Sequence, residues 1–203
     1  MDKKVMKEMT FMGYRRPDGR VGIRNKVLIL PASVCASDTT RIIASQVENA
    51  VTFNNQNGCS QVPSDQQFTM DVMAGYAANP NVYGTVVISL GCENCQMDLV
   101  LDAIRNAPTS HWSISSSRKT AVPLPPLRGR VRAARQMAMD ASMLAQEAFG
   151  MSELIIGTEC GGSDPTSGLA PMCLSARLAT VWRKSGAHPS CLRQLNSSAR
   201  NTY

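Results

Sequence analysis

The residues of this chain best able to do chemistry are cysteines beside glycines, each just past an apolar, β-branched run. Val86-Val87-Ile88-Ser89-Leu90 leads into Gly91-Cys92-Glu93-Asn94-Cys95. Leu154-Ile155-Ile156 leads into Gly157-Thr158-Glu159-Cys160-Gly161-Gly162-Ser163-Asp164. Val51-Thr52-Phe53 leads to Gly58-Cys59-Ser60-Gln61, and Val27-Leu28-Ile29-Leu30 leads to Cys35. Thiolates suit iron and carboxylates suit harder ions. A carboxylate can also act as a base. Loops beyond the carboxyl ends of parallel strands form the ligand crevice of an open α/β sheet. Four thiols and two carboxylates brought to such a rim read as a site.

The elements that must position these groups are legible from periodicity. Strand-like runs at 27–32, 49–53, 84–90 and 154–157 alternate with helical stretches. Ser37-Asp38 is expected to cap a helix through Val47, and Ser64-Asp65 one through Ala78. A third helix follows the Cys92 loop over 96–105. Arg130–Phe149, rich in Ala and Met, reads as the clearest helix, closed by Gly150. The fold class is α/β: a parallel-type sheet with flanking helices, in an incomplete domain with irregular stretches at 107–129 and 171–203.

Length and composition bound the rest. The 203 residues suffice for one domain with a real core. No apolar run is long enough to span a bilayer. The start, Met1-Asp2-Lys3-Lys4, lacks the apolar region of a signal peptide. Seven cysteines in that context point to a reducing, cytoplasmic compartment and free thiols. Cys92-x-x-Cys95 alone is a weak metal signal, since nothing pairs with it as a second knuckle.

The net charge of +6 arises locally. Residues 107–129 and 171–203 hold eight of the 21 basic residues and none of the 15 acidic ones, leaving 13 basic against 15 acidic elsewhere. Both tryptophans and both histidines also fall there. Neither segment shows a helix or strand period. One interpretation is a Ser/Pro linker and a disordered tail. The favoured one is translation out of frame. Read one base over, Ser115–Gly129 can encode Val-Ile-Gln-Glu-Asp-Gly-Gly-Thr-Ala-Ala-Thr-Ile-Ala-Arg, another strand, turn and helix start. On this view 1–170 is one α/β domain interrupted at 107–129, and 171–203 is an aberrant tail. With the basic patches set aside, neither a nucleic-acid nor a membrane partner is expected.

The in-frame segments resemble the altronate/galactarate dehydratase family of sugar-acid hydro-lyases, which includes the large subunit of a sulfolactate sulfo-lyase. The resemblance is carried by Gly13-Tyr14-Arg15-Arg16-Pro17-Asp18-Gly19-Arg20-Val21-Gly22-Ile23-Arg24-Asn25, then Asn57-Gly58-Cys59-Ser60-Gln61, Gly91-Cys92-Glu93, and Gly157 through Gly168. It implies a fragment of a catalytic subunit, with a small-molecule sugar-acid substrate and a separate small N-terminal-domain-like subunit as partner. It also implies a divalent metal of the iron or manganese type. Where the family usually carries histidine near the first Gly-Cys motif, this chain has Asn54, Asn55 and Asn57.

A 2,3-dihydroxy acid loses water by removal of the proton beside its carboxylate and departure of the 3-hydroxyl. A divalent metal stabilises the enediolate and assists the leaving group. On the resemblance, Cys59, Cys92 and Cys160 are the candidate ligands, with Glu93 or Glu159 as the base. Arg20 and Arg24 could grip the substrate carboxylate, and Asn25, Gln61, Ser163 and Asp164 could bind its hydroxyls. The bland alternatives are a solvated Asp18-Gly19 turn for the arginines and turn chemistry for Ser163-Asp164. Cys35, with no adjacent glycine, reads as a small buried hydrophobe. A sulfo-lyase subunit and a non-catalytic remnant or interaction module are the competing functions.

Overall fold

The computed structural model describes residues 9–106, 127–158 and 188–191, with Arg177 and Thr180. The chain divides into two compact units, residues 13–147 and residues 1–12 with 148–203.

The larger unit is built on three parallel strands. β3 (Lys26–Pro31) lies between β4 (Ala50–Val51) and β5 (Val82–Ile88), so the second strand of the sheet in sequence flanks the first on one side and the third on the other. This order places a topological switch point at the carboxyl ends of β3 and β5. Side chains of a strand alternate between faces, and both faces here are covered. Val27, Ile29, Val86 and Ile88 pack with Ile43 and Val47 and with Val131, Ala134 and Met137. Leu28, Leu30 and Val87 pack with Met70, Met73, Ala77 and Val100. The near-continuous apolar runs of β3 and β5 are thus what a doubly covered sheet requires. The covering helices are α1 (Ser37–Ala44) and α4 (Leu127–Ser142) on one face, α2 (Pro63–Ala77) and α3 (Met97–Asn106) on the other.

The strand expectations hold to within a few residues, and three helix details change. Ser37 does not cap α1: its hydroxyl donates to the Asn55 carbonyl, 3.0 Å away. Nor does Ser64 cap α2, which starts at Pro63 with its fixed φ. The helix expected to run to Phe149 stops at Ser142, and β6 (Glu147–Gly150) follows. Gly150 is extended, not a C-cap. Phe149 is buried and tilted against Phe11 at 6.1 Å, a contact a strand side chain supplies. Leu127, Arg128 and Gly129 belong to the first turn of α4, so the irregular stretch ends earlier than expected. Residues 107–126 lie outside the described residues.

The segment Gly13–Asn25, where an Asp18-Gly19 turn is one expectation, contains a hairpin. β1 (Thr10–Arg15) pairs antiparallel with β2 (Val21–Gly22). Gly19 closes the turn at φ +87°. In the smaller unit β7 (Ile155–Thr158) pairs in parallel with β8 (His188–Cys191). The rest of the 171–203 tail lies outside the described residues apart from Arg177 and Thr180. No helix among the described residues is long and apolar enough to cross a membrane.

Candidate active site at the carboxyl rim of the sheet

Three loops leave the carboxyl ends of β3, β4 and β5, and backbone bonds lock them together. The Val34 N–H donates to the Asn57 carbonyl at 2.9 Å, and the Cys95 N–H to the Gly58 carbonyl at 3.1 Å. Gly58 sits at φ +97°, and a Cβ there would collide with the Ala32 carbonyl and Ser33 Cα. Only glycine lets the Cys59 loop lie this close to the end of β3. Ser60 follows in the left-handed region at φ +55°.

Asparagines and glutamines fasten these loops. Asn94 Oδ1 accepts the Ser60 N–H at 2.7 Å, while the Asn94 carbonyl accepts from Gln66 Nε2 at 2.7 Å. Asn55 is buried; its Nδ2 donates to the Pro31 carbonyl and its Oδ1 accepts the Asn57 N–H, both at 3.0 Å. Gln61 accepts the Gly58 N–H at 2.8 Å and donates to Thr69 Oγ1 at 2.9 Å, so both ends of its amide are used inside the protein.

Glu93 is 2% exposed. Its carboxylate accepts the N–H groups of Leu90, Gly91 and Cys92 at 2.8–3.2 Å. Burial alone would raise its pKa; the Ser89 hydroxyl and the backbone N–H donors outweigh burial and hold it below the ordinary value. An acceptor folded back on its own loop shapes that loop.

The thiols divide by position. Cys92 is exposed, Cys59 half-buried and Cys95 fully buried. Burial pushes the Cys95 thiol up, and the neighbouring Cys59 thiol and Glu93 carboxylate add to the shift. Cys35, expected to be a buried hydrophobe, is exposed, because the short 3-10 turn Val34–Ala36 aims Ala36 and not Cys35 into the core. Among the described residues no three His, Cys, Asp or Glu side chains converge as metal donors. Cys59 and Cys92 alone therefore do not fit a resident metal. Glu159, Cys160, Ser163 and Asp164 lie outside the described residues.

The remaining candidates sit at the other end of the sheet. Arg20 pairs with Asp18 at 2.6 Å and also donates to the Ala78 carbonyl. Arg24 is exposed, and its backbone N–H donates to Asn81. Asn25 accepts from Arg16 and donates to the Ala141 carbonyl. These residues lead into β3 and surround the start of β5, whose seven residues put them roughly 20 Å from the cysteine loops. The structure thus groups Cys59, Gln61, Cys92 and Glu93 at one rim and Arg20, Arg24 and Asn25 at the other. The sequence reading missed Asn55 and Asn94 as fasteners. Their one signal was an asparagine beside each Gly-Cys motif.

Residues 13–142 match the family model described as D-galactarate dehydratase/altronate hydrolase, second domain. The chain is 33% identical over 165 residues to (2R)-sulfolactate sulfo-lyase subunit beta of Chromohalobacter salexigens, covering 80% of this chain and 41% of that protein. It is 27% identical over 180 residues to altronate dehydratase of Bacillus subtilis, covering 84% and 36%. Against galactarate dehydratase (L-threo-forming) of Escherichia coli it is 27% identical over 179 residues, covering 79% and 34%. The chain thus spans about two-fifths or less of the relatives it matches.

Proposed function

Because the chain belongs to the D-galactarate dehydratase/altronate hydrolase family, we propose that it is the part of a hydro-lyase that carries the carboxyl rim of the β4-β3-β5 sheet into the active site. The substrate class is a sugar acid such as altronate or galactarate. The observation that carries this reading is the interlocking of the three loops at the switch point, where an α/β sheet receives its ligand. Dehydration takes the α-proton, expels the 3-hydroxyl as water and leaves, after tautomerisation, a 2-keto-3-deoxy acid.

In this reading Glu93 positions the Cys92 loop and Asn94 positions Ser60. The exposed Cys92 thiol, the Ser60 hydroxyl and the half-buried Cys59 thiol face the substrate. Proton removal falls to Glu159 and not to Glu93, whose oxygens already accept three backbone N–H groups. The divalent metal of iron or manganese type is a requirement of the whole enzyme. Turnover is expected to fall in EDTA and return with Fe²⁺ or Mn²⁺.

A second reading is favoured by the 33% identity to a sulfo-lyase subunit: release of sulfite from a sulfonated hydroxy acid. The test offers altronate, galactarate and (2R)-sulfolactate to the chain and measures 2-keto acid and sulfite. Keto acid without sulfite supports the dehydratase. Sulfite supports the second reading. Neither product, with no saturable binding of any of the three by calorimetry, overturns both and leaves a non-catalytic module.

A further inference from the structure

Cys95 is a thiol of the rim that the proposed chemistry leaves unused, and it is fully buried. It belongs to the buried apolar cluster that includes Leu30, Ala32, Met73 and Val100. Cys95 itself and the preceding Asn94 are tied to the residues on either side of Cys59. The Cys95 N–H reaches the Gly58 carbonyl at 3.1 Å, and Asn94 Oδ1 holds the Ser60 N–H at 2.7 Å. Ordinary bond lengths then keep the two Cα atoms within about 7 Å. A disulfide needs roughly 4.4–6.8 Å between Cα atoms. We propose that Cys59 and Cys95 are a redox pair, closing under peroxide into a disulfide that clasps the loop after β4 to the loop after β5.

Two further observations support the pairing. The Cys59 thiol is among the groups that raise the pKa of Cys95, which places the two sulfurs in each other's field. Cys59 is half-buried, so a small oxidant reaches it while Cys95 stays sheltered. Cys59 is therefore attacked first. Its thiolate displaces hydroxide from hydrogen peroxide, forming an S–O bond as the O–O bond breaks. The Cys95 sulfur then attacks the Cys59 sulfur; the S–S bond forms, the S–O bond breaks, and the hydroxyl leaves with the Cys95 proton as water. Two thiols are oxidised by two electrons, and one peroxide becomes two waters.

The bond would join loops already aligned by hydrogen bonds, so it asks little of the backbone. It would remove the Cys59 thiol from the rim. The consequence for turnover rests on the proposed function, but the disulfide does not.

The test uses the full 203-residue chain, reduced, exposed to hydrogen peroxide, alkylated and digested without reductant. The expected product is an intramolecular Cys59–Cys95 peptide pair, lost on adding dithiothreitol and absent when the same treatment is made in urea. The oxidised chain is expected to melt higher than the reduced one. Cys92→Ala is expected to leave the pair unchanged. Cys95→Ala is expected to leave Cys59 as a sulfenic acid trapped by dimedone. A Cys92–Cys95 pair, or Cys59 oxidised to sulfinic acid while Cys95 stays alkylatable in the unmutated chain, overturns the proposal. Peptide mapping of the unmutated chain decides even if Cys95→Ala fails to fold. Loss of the disulfide with turnover intact sinks the clasp alone; an intact clasp without turnover sinks only the proposed reaction.

Discussion

At the amino end of the β4-β3-β5 sheet, Arg16 is 5% exposed and donates to the Pro80 carbonyl at 2.7 Å and to Asn25 Oδ1 and the Arg24 carbonyl at 3.0 Å. Burial pulls its guanidinium below the ordinary value, with Asp18 opposing that shift. Gly22 completes this end, since a Cβ there would strike the Pro80 carbonyl. At the carboxyl end the arrangement is reversed. The backbone of the loops is held by asparagine, glutamine and glutamate, while Cys35, Cys92 and Ser60 stand exposed. The first end uses its charges to join a hairpin to the sheet. The second uses side-chain amides and one carboxylate to hold its loops and leaves reactive groups outward. A rigid, left-handed or glycine-bearing loop with free side chains is how a fold presents chemistry.

This contrast predicts different losses at the two ends. Arg16→Ala should cost about 3 kcal/mol, because three acceptors lose their donor at once. The urea midpoint should fall while alkylation of Cys92 in the folded fraction proceeds at its normal rate. A change in Cys92 reactivity would show that the two ends are coupled. Gly58→Ala should cost about 2–3 kcal/mol from the positive φ and the collision with Ala32. Unlike Arg16→Ala, it should also speed alkylation of Cys59 and Cys95 in the folded chain, as the loop lifts from β3.

Glu93→Gln should cost about 1–2 kcal/mol near neutrality. Because the folded pKa of Glu93 lies below its unfolded value of 4.5, the carboxylate stabilises the protein above that pH. The contribution fades as pH falls from there through the folded pKa. Urea melts of the variant should therefore lose part of the acid dependence between those two values. An unchanged acid limb would show that Glu93 does not hold the loop. Asn94→Ala, which removes only the acceptor for the Ser60 N–H, should cost about 1 kcal/mol.

The apolar runs of β3 and β5 and their parallel setting were legible because burial on both faces leaves a continuous hydrophobic signature. The two-residue β4 was legible only as part of a longer run, and β1 and β2 were hidden by arginines and glycines that read as loop. Clustering of Cys59 with Cys92 followed from loop position alone. What the sequence could not separate was the two ends of the sheet: a Gly-Arg motif looks equally fit for a ligand wherever it lies. Direction along the strands decides it, and that depends on pairing between residues such as Lys26 and Val82, far apart in the chain. The long helix failed at Ser142 for a similar reason. Beyond it Phe149 lies in a strand and packs against Phe11, a partner far away in the sequence.

The smallest expected effect bears most directly on the division between the two ends. Arg24 is an exposed arginine of the hairpin segment, and among the described residues its guanidinium reaches only the neighbouring Ile23 carbonyl at 3.5 Å. Its backbone N–H, bonded to Asn81 Oδ1 at 3.0 Å, survives truncation of the side chain. Arg24→Ala should therefore change stability by no more than about 0.5 kcal/mol. If the substrate carboxylate is held at the carboxyl rim, KM for the sugar acid should also stay within about twofold, since roughly 20 Å of strand intervenes. A tenfold rise in KM with kcat unchanged would instead restore Arg24 as a carboxylate grip. It would then require the substrate to meet this hairpin, and the amino end would have to be counted as part of the site.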